Sequence, residues 1–247
     1  MTFAEALGIG PGVTALIGGG GKTSLMLTLA KELGNKGRII ICTTTRIYPP
    51  KDVQVLLGAN KDMVSEALNR YGTVCVGEMY GEKLGPANME VSEFARLADY
   101  VIVEADGSKG LPLKAHAQHE PVIPEGAKVI YVIGADGLGK PIADAAHRPE
   151  LYAEKLGTEL SHRVTPEDAA KMVDHGDTVL FNKAESADDI RNGIRFAECF
   201  NGSTVIASLK DTKIIEIIRK EQKHGRQGRA FMVLCAFIFC ASQASYF

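Results

Sequence analysis

Seven nearly continuous apolar runs recur along the chain, and segments of helical periodicity separate them. The runs span residues 13–17, 38–42, 73–76, 100–104, 128–133, 178–181 and 203–207. Continuous rather than alternating apolar character is typical of strands that are covered on both faces, since both sets of side chains are then buried. The runs therefore predict a parallel sheet.

The segments between these runs carry apolar residues at the spacing of amphipathic helices. The predicted helices span residues 22–33, 61–71, 91–98 and 187–200. A further helix is expected to begin where Thr165 is the N-cap and Pro166 takes the first helical position. Alternating strands and helices predict an α/β fold, a three-layer α/β/α sandwich with a mostly parallel sheet.

The domain organisation follows from where this rhythm breaks. Of the 247 residues, 1–222 are expected to form one domain. The Pro-rich stretch around 107–162 reads either as an inserted, substrate-facing region or as an irregular excursion of the same domain. Residues 223–247 form a basic and then apolar tail, for which a final buried strand, a partner-binding tail and an altered reading frame all fit.

Composition excludes several classes of partner. A formal net charge of -2 gives no general attraction to nucleic acid. The longest apolar stretch, residues 230–241, is too short to span a membrane. The five cysteines lack CxxC pairs and disulfide density, which favours a reducing cytoplasm. We therefore expect a cytoplasmic protein with no nucleic-acid or membrane partner.

A glycine-rich loop follows the first predicted strand and precedes the first predicted helix. The loop consists of Gly18, Gly19, Gly20, Gly21, Lys22, Thr23 and Ser24. Glycines let backbone N–H groups turn toward phosphate oxygens, and the helix N-terminus adds positive potential. Lys22 is expected to reach the β- and γ-phosphates and Thr23 to ligate Mg²⁺. Leu16 replaces the first glycine of the longer Walker motif, so the loop fits the shorter form G-x-x-G-K-T.

Polar side chains follow two other predicted strands. Glu104 and Asp106 lie just past residues 100–104, where a Walker B carboxylate binds Mg²⁺ or its water molecules. Thr44 and Arg46 follow the second strand, and the carboxyl ends of parallel strands share one edge of the sheet. Thr44 is therefore a candidate Mg²⁺ contact and Arg46 a candidate for stabilising phosphate charge; hydroxyls that only cap the strand end are the alternative.

A candidate base-recognition element follows the sixth predicted strand. Asn182, Lys183 and Glu185 resemble the N-K-x-D signature of GTPases, with a glutamate at the acidic position. A carboxylate there accepts hydrogen bonds from guanine N1–H and N2–H₂, a donor pair that adenine lacks. The ligand is therefore expected to be GTP or ATP, with a slight preference for guanine, and a polar turn is the alternative.

The Pro-rich region carries a polar cluster, formed by Lys114, His116, His119 and Glu120. Its residues lack tight metal-ligand spacing, so we expect a solvated or packing role rather than a metal site. Residues 134–140 imitate a second glycine-rich loop, for which a simple turn is the more economical interpretation.

Several motifs together resemble the YqeC-like family of selenium-dependent molybdenum hydroxylase accessory proteins. They are Gly-Gly-Gly-Gly-Lys-Thr at 18–23, Thr-Thr-Thr-Arg-Ile-Tyr at 43–48, Val-Glu-Ala-Asp-Gly-Ser at 103–108, Leu-Pro-Leu-Lys-Ala at 111–115, His-Glu-Pro-Val-Ile-Pro at 119–124, His-Arg-Pro at 147–149 and Asn-Lys at 182–183. The resemblance covers residues 10–210 or so. His116 departs from the family pattern, in which a proline is expected.

The resemblance implies a P-loop NTPase that acts in the maturation of a selenium-dependent molybdenum hydroxylase. Its partners would be the apo-hydroxylase or a selenium or molybdopterin species. The residues themselves favour Mg²⁺-dependent cleavage of the nucleotide, with Lys22, Glu104, Asp106 and Arg46 as catalytic groups. Two alternatives stay open: a nucleotide-switched, metallochaperone-like binding protein, and a small-molecule kinase or ligase with a Mur-like short loop.

Overall fold

Strands and helices alternate along residues 1–220, the part of the chain that the computed structural model describes. The strands are β1 Gly12–Gly18, β2 Ile39–Thr43, β3 Gln54–Leu57, β4 Thr73–Tyr80, β5 Lys83–Gly85, β6 Tyr100–Glu104, β7 Leu113–Lys114, β8 Lys128–Gly134, β9 Ala146–His147, β10 Thr178–Asn182, β11 Ser203–Ser208 and β12 Lys213–Ile218. The helices are α1 Phe3–Ala6, α2 Lys22–Leu33, α3 Lys61–Tyr71, α4 Val91–Leu97, α5 Ile142–Ala145, α6 Pro149–Leu156, α7 Pro166–Lys171 and α8 Ala187–Cys199, with a 3₁₀ turn at Ala135–Gly137.

Ten of the strands form one sheet, in the order β12-β11-β10-β8-β1-β6-β2-β4-β3, with β5 paired to β4. Strand β1 lies near its centre, hydrogen-bonded in parallel to β6 and β8. The two antiparallel strands, β12 and β5, lie at the margins. The prediction of a mostly parallel sheet is confirmed, and these two strands were not predicted.

The core has two layers because alternate residues of each strand face opposite sides of the sheet. In β1, Leu16 packs with helix α2 on one side, while Ala15 and Ile17 pack on the other. That second side is covered by apolar residues of several helices, among them Phe94 of α4 and Phe196 of α8. Helices on both faces of the sheet confirm the three-layer α/β/α sandwich.

Helices α3, α7 and α8 begin at a side-chain cap, whereas α2 does not. Asn60, Thr165 and Ser186 each accept a hydrogen bond from a backbone N–H in the first turn of α3, α7 and α8. Helix α2 begins after Gly21, which has no side chain to cap it. The first amides of α2 are therefore left for another acceptor.

The Pro-rich stretch contributes a central strand. Strand β8 lies between β1 and β10 and pairs with both in parallel. At least this part of residues 107–162 is integral to the main sheet. The predicted tail at 223–247 lies outside the described residues. Among residues 1–220, no helix is long and apolar enough to cross a membrane.

Candidate functional site

Some backbone amides of the glycine loop donate to acceptors in the protein, and others do not. Gly18 N donates to Asp106 Oδ2 at 2.9 Å, Gly19 N donates to the Val132 carbonyl at 2.9 Å, and Gly20 N donates to the Leu111 carbonyl at 3.1 Å. The next four amides, those of residues 21–24, have no acceptor within residues 1–220. These four amides lie at the N-terminus of α2, where backbone N–H groups and the helix dipole favour an anion.

Close backbone packing explains why the loop needs glycine. Gly20 has φ +80°, and a Cβ there would lie 2.3 Å from Gly134 N. At Gly21, with φ +129°, a Cβ would lie 2.6 Å from Asn182 Nδ2. At Gly20 the neighbour is backbone, so sterics and the positive φ both exclude a side chain; at Gly21 the positive φ disfavours one and the Asn182 side chain would have to move.

Lys22 lies folded back over the loop and is 3% exposed. Its Nζ donates to the Gly18 carbonyl at 2.5 Å and to Ser108 Oγ at 3.2 Å, and it forms an ion pair with Asp106 Oδ1 at 3.1 Å. The ammonium is thus held beside the open amides of α2. In this position its positive charge lies next to these amides.

A hydroxyl and a carboxylate meet beside the loop. Thr23 Oγ1 donates to Glu104 Oε2 at 2.7 Å. Burial raises the pKa of Glu104, and the charge of Lys22 and the Thr23 hydrogen bond oppose that rise. The hydroxyl of Thr44 is buried with no hydrogen-bond partner within residues 1–220, and the Thr44 amide donates to the Glu104 carbonyl. Such oxygen atoms fit Mg²⁺ and its water ligands.

Asp106 is fully buried and surrounded by donors. Besides Lys22 and the Gly18 amide, its Oδ2 lies 3.3 Å from Lys114 Nζ and 2.7 Å from His116 Nε2. Burial alone would raise the pKa of Asp106, but the His116 hydrogen bond and the two lysine charges lower it to about 2. Both carboxylate oxygens lie close to cationic groups, and Oδ1 accepts no hydrogen bond within residues 1–220. Asp106 holds Lys22 and the loop in this structure, and its role as a metal ligand stays a prediction.

In the polar cluster of the Pro-rich region, Lys114 and His116 are buried, Glu120 is partly buried and His119 is exposed. The Lys114 side chain is 0% exposed; its Nζ donates to the Gly107 carbonyl at 2.6 Å and lies 3.2 Å from Glu120 Oε2. Glu120 in turn accepts from Arg148 Nε at 3.1 Å. Of the two roles expected for this cluster, solvated or packing, Lys114 fits the packing one. Its charge is matched by Asp106 and Glu120, as burial requires.

His116 bridges two carboxylates. Its Nε2 lies 2.7 Å from Asp106 Oδ2 and its Nδ1 lies 2.7 Å from Asp174 Oδ1. Burial alone would lower the pKa of His116, but these two hydrogen bonds raise it above its usual value. His116 and Asp174 lie far apart in the sequence and were not paired by sequence reasoning.

The predicted base-recognition residues border a cavity of about 260 Å³ beside the loop. The cavity is lined by Gly21, Ser24, Asn182, Lys183, Glu185, Leu209 and Lys210. Asn182 Nδ2 donates to the Gly20 carbonyl at 2.8 Å and its Oδ1 accepts from Leu209 N at 3.0 Å. Asn182 therefore ties the glycine loop to the turn after β11. Glu185 forms an ion pair at 3.3 Å with Lys210.

The two remaining predicted site residues, Lys183 and Arg46, each contact a side chain outside the glycine loop. Lys183 has φ +63° and pairs with Asp136 at 2.8 Å. The Arg46 guanidinium lies over the ring of Tyr80, 5.1 Å from its centroid, on the hairpin formed by β4 and β5. Arg46 is thus held by an aromatic contact, and its role toward phosphate stays a prediction.

Sequence reasoning missed Ser108 and Leu209 as members of this site. Ser108 ends the motif Val-Glu-Ala-Asp-Gly-Ser and contacts Lys22. Leu209 follows β11, and its amide is held by Asn182. The position of each just after a strand, at the edge that carries the glycine loop, was the signal available.

Comparisons with known proteins agree with the motifs. A family model described as YqeC protein matches residues 14–150. The YqeC protein of Escherichia coli (strain K12) is 30% identical over 203 residues, which cover 77% of this chain and 78% of that protein. The structure of the signal recognition particle 54 kDa protein from Aeropyrum pernix K1 in complex with GDP matches with a TM-score of 0.38 and 14% identity. The match covers 80% of this chain and 41% of the chain of the signal recognition particle protein.

Proposed function

The chain belongs to the YqeC family, and we propose that it binds a nucleoside triphosphate with Mg²⁺ and hydrolyses it. The observation that carries this proposal is the set of four open amides at residues 21–24, beside the buried ammonium of Lys22. A helix N-terminus with an adjacent lysine is suited to a polyphosphate, because amide dipoles and a full charge act on the same oxygens. The carboxyl edge of the sheet, where this loop lies, is where ligands of open α/β sheets bind.

The metal ion would be held by Thr23 Oγ1 and Glu104, with Thr44 contacting one of its water molecules. Bound there, Mg²⁺ neutralises charge on the β- and γ-phosphate oxygens. The fit rests on the 2.7 Å contact between Thr23 and Glu104 and on the unpartnered Thr44 hydroxyl. Lys22 would bind the oxygens of the transferring phosphoryl group, and Asp106 would keep Lys22 in position. Arg46 is proposed to add positive charge beside the phosphates, and for this its guanidinium would have to move away from the Tyr80 ring.

We propose GTP rather than ATP as the preferred ligand. The cavity beside Gly21 and Ser24 lies next to the anion-binding amides, where the nucleoside of a bound nucleotide would extend. The Glu185 carboxylate at its border would accept from guanine N1–H and N2–H₂ after giving up Lys210. The Asn182 side chain, which joins the loop to Leu209, supports the pocket rather than reading the base.

Calorimetry with GTP, ATP and their Mg²⁺ complexes tests both parts of this proposal. We expect binding that strengthens with Mg²⁺ and favours GTP. Phosphate release by the wild type and by Lys22→Ala then tests hydrolysis. Absence of binding would reject the nucleotide site, whereas equal affinities would reject only the guanine preference.

A second candidate function, a nucleotide-dependent switch, is favoured by the environment of Gly107. Glu104-x-x-Gly107 matches the position of a switch glycine, and the Gly107 carbonyl is held by buried Lys114 at 2.6 Å. The family resemblance supports an apo molybdenum hydroxylase as the partner. Pull-down of that enzyme with nucleotide-free and analogue-bound protein tests the idea, because a switch must change partner affinity with its ligand.

A further inference from the structure

Three side chains outside the glycine loop converge on one point. His116 Nδ1 lies 2.7 Å and His175 Nδ1 lies 2.9 Å from the same oxygen, Oδ1 of Asp174. The three ligand atoms lie within 4.8 Å of one another. His116 follows β7, whereas Asp174 and His175 belong to the loop between α7 and β10, so the fold brings the two segments together.

The hydrogen bonds of His116 leave a place for a cation. Its two ring nitrogens each face a carboxylate oxygen at 2.7 Å. A neutral imidazole has one N–H and one lone pair, so one of these contacts would set a lone pair against a carboxylate. A second proton on the ring removes that repulsion, and so does a metal ion that binds both Nδ1 and Asp174 Oδ1 from the side, at about 2.0–2.2 Å from each atom.

The outer contacts favour the metal arrangement. Asp106 holds the far nitrogen of His116, which fixes the ring orientation and leaves Nδ1 toward Asp174. A carboxylate that holds the second nitrogen of a ligating histidine is the usual outer partner in protein metal sites. Lys155 donates to Asp174 Oδ2 at 3.4 Å and to the His116 carbonyl at 3.1 Å. Lys155 therefore occupies the other oxygen of Asp174 and leaves Oδ1 facing the two imidazoles.

We propose that His116 Nδ1, His175 Nδ1 and Asp174 Oδ1 form a binding site for a divalent first-row transition metal ion. Two imidazole nitrogens and one carboxylate oxygen are a donor set that suits Zn²⁺ and Co²⁺. The site opens to solvent on one side, since the His116 side chain is 1% exposed and that of His175 is 42% exposed. A water molecule or an exogenous ligand would complete the coordination.

This site is separate from the proposed Mg²⁺ position and does not depend on nucleotide binding. It is nevertheless linked to the glycine loop, because Asp106 contacts both His116 Nε2 and the ammonium of Lys22. His116 and Asp106 would therefore connect the metal ion to the ammonium of Lys22, which is proposed to bind phosphate.

Metal titration of the full chain tests the proposal. Cys199, Cys235 and Cys240 are first replaced by serine so that their thiolates do not compete, and the protein is freed of metal with a chelator. Co²⁺ is then added and its visible absorption recorded, followed by displacement with Zn²⁺. We expect one equivalent of Co²⁺ with d–d bands and no thiolate charge-transfer band.

Single variants in the same background decide whether the proposed residues bind the ion. His175→Ala and Asp174→Asn are expected to weaken Zn²⁺ binding by about tenfold or more. His162→Ala is the matched control, since His162 pairs with Asp168 at 2.8 Å outside the cluster; its affinity is expected to equal that of the background. Thermal unfolding checks that each variant folds. Lack of binding at micromolar metal, or unchanged affinity in His175→Ala, would overturn the proposal whatever the nucleotide result.

Discussion

Thr23 Oγ1 donates a hydrogen bond to Glu104 Oε2 over 2.7 Å, although the two residues are 81 positions apart in the sequence. The contact joins the first turn of α2 to the end of β6, two elements that β2 to β5, α3 and α4 separate along the chain. It exists because β1 and β6 pair in parallel, with Leu16 opposite Glu104. The sheet register thereby sets the distance between the two proposed Mg²⁺ ligands.

The first prediction concerns this hydroxyl. Thr23→Val removes the oxygen with little change in shape, and we expect nucleotide hydrolysis to lose its response to Mg²⁺, because a ligand of the ion is gone. Thr23→Ser keeps the oxygen and is expected to retain the response. Phosphate release measured over a Mg²⁺ titration distinguishes the two. A Thr23→Val protein that responds like the wild type would remove Thr23 from the metal site.

The second prediction concerns the charge at the loop. Lys22→Ala is expected to lower the rate of phosphate release by about 100-fold or more, since Lys22 is proposed to stabilise charge in the transition state. Lys31→Ala, at an exposed position in the last turn of the same helix, is the matched control and should not change the rate. Single-turnover kinetics measures both variants. Similar rates for Lys22→Ala and Lys31→Ala would contradict a phosphate role for Lys22.

The third prediction concerns the close packing of the loop. Gly20→Ala places a Cβ 2.3 Å from Gly134 N, so the loop must move and nucleotide affinity should fall. We expect the free energy of unfolding to decrease by about 2 kcal/mol or more. Gly126→Ala is a control for backbone conformation alone, because Gly126 also has positive φ but nothing lies within 4 Å of its Cβ position. Denaturant unfolding and calorimetry compare the two. An equal loss of stability in both variants would show that packing against Gly134 is unimportant.

Local periodicity predicted the regular elements well, and it could not predict the marginal ones. Helices Lys22–Leu33 and Lys61–Tyr71 have the predicted bounds, because each ends at a glycine and has a distinct apolar face. Strand β12, Lys213–Ile218, was missed. It is an edge strand without the full burial on which the strand prediction relied.

The site was predictable where it followed a strand and not where it depended on tertiary contacts. Lys22, Thr23 and Glu104 each lie next to a predicted strand or helix terminus at the same sheet edge. The contact between His116 and Asp174 joins positions 58 residues apart and follows no spacing rule. The contacts that bury Asp106 against Lys114 and His116 have no signature in the sequence.

The fourth prediction concerns thiol reactivity. Burial raises the pKa of Cys42 and raises that of Cys75 to about 12, so neither forms the reactive thiolate near neutral pH. Cys199 is exposed. Alkylation of the folded protein at pH 8, followed by peptide mapping, should modify Cys199 and leave Cys42 and Cys75 intact until denaturant is added. Early modification of Cys42 or Cys75 would mean that the core around β2 and β4 opens readily.

The fifth prediction concerns base preference. Glu185→Gln keeps the size of the side chain but replaces one accepting oxygen by a donating NH₂, so guanine N1–H and N2–H₂ can no longer both be satisfied. We expect the ratio of GTP to ATP affinity to fall by about tenfold, the effect of one unsatisfied buried hydrogen bond. Lys210→Ala is the complementary variant: it removes the cation that pairs with Glu185 at 3.3 Å and should leave the carboxylate freer to bind guanine. Calorimetry with both nucleotides measures the ratios. If Glu185→Gln lowers the affinities for GTP and ATP equally, Glu185 supports the pocket without reading the base.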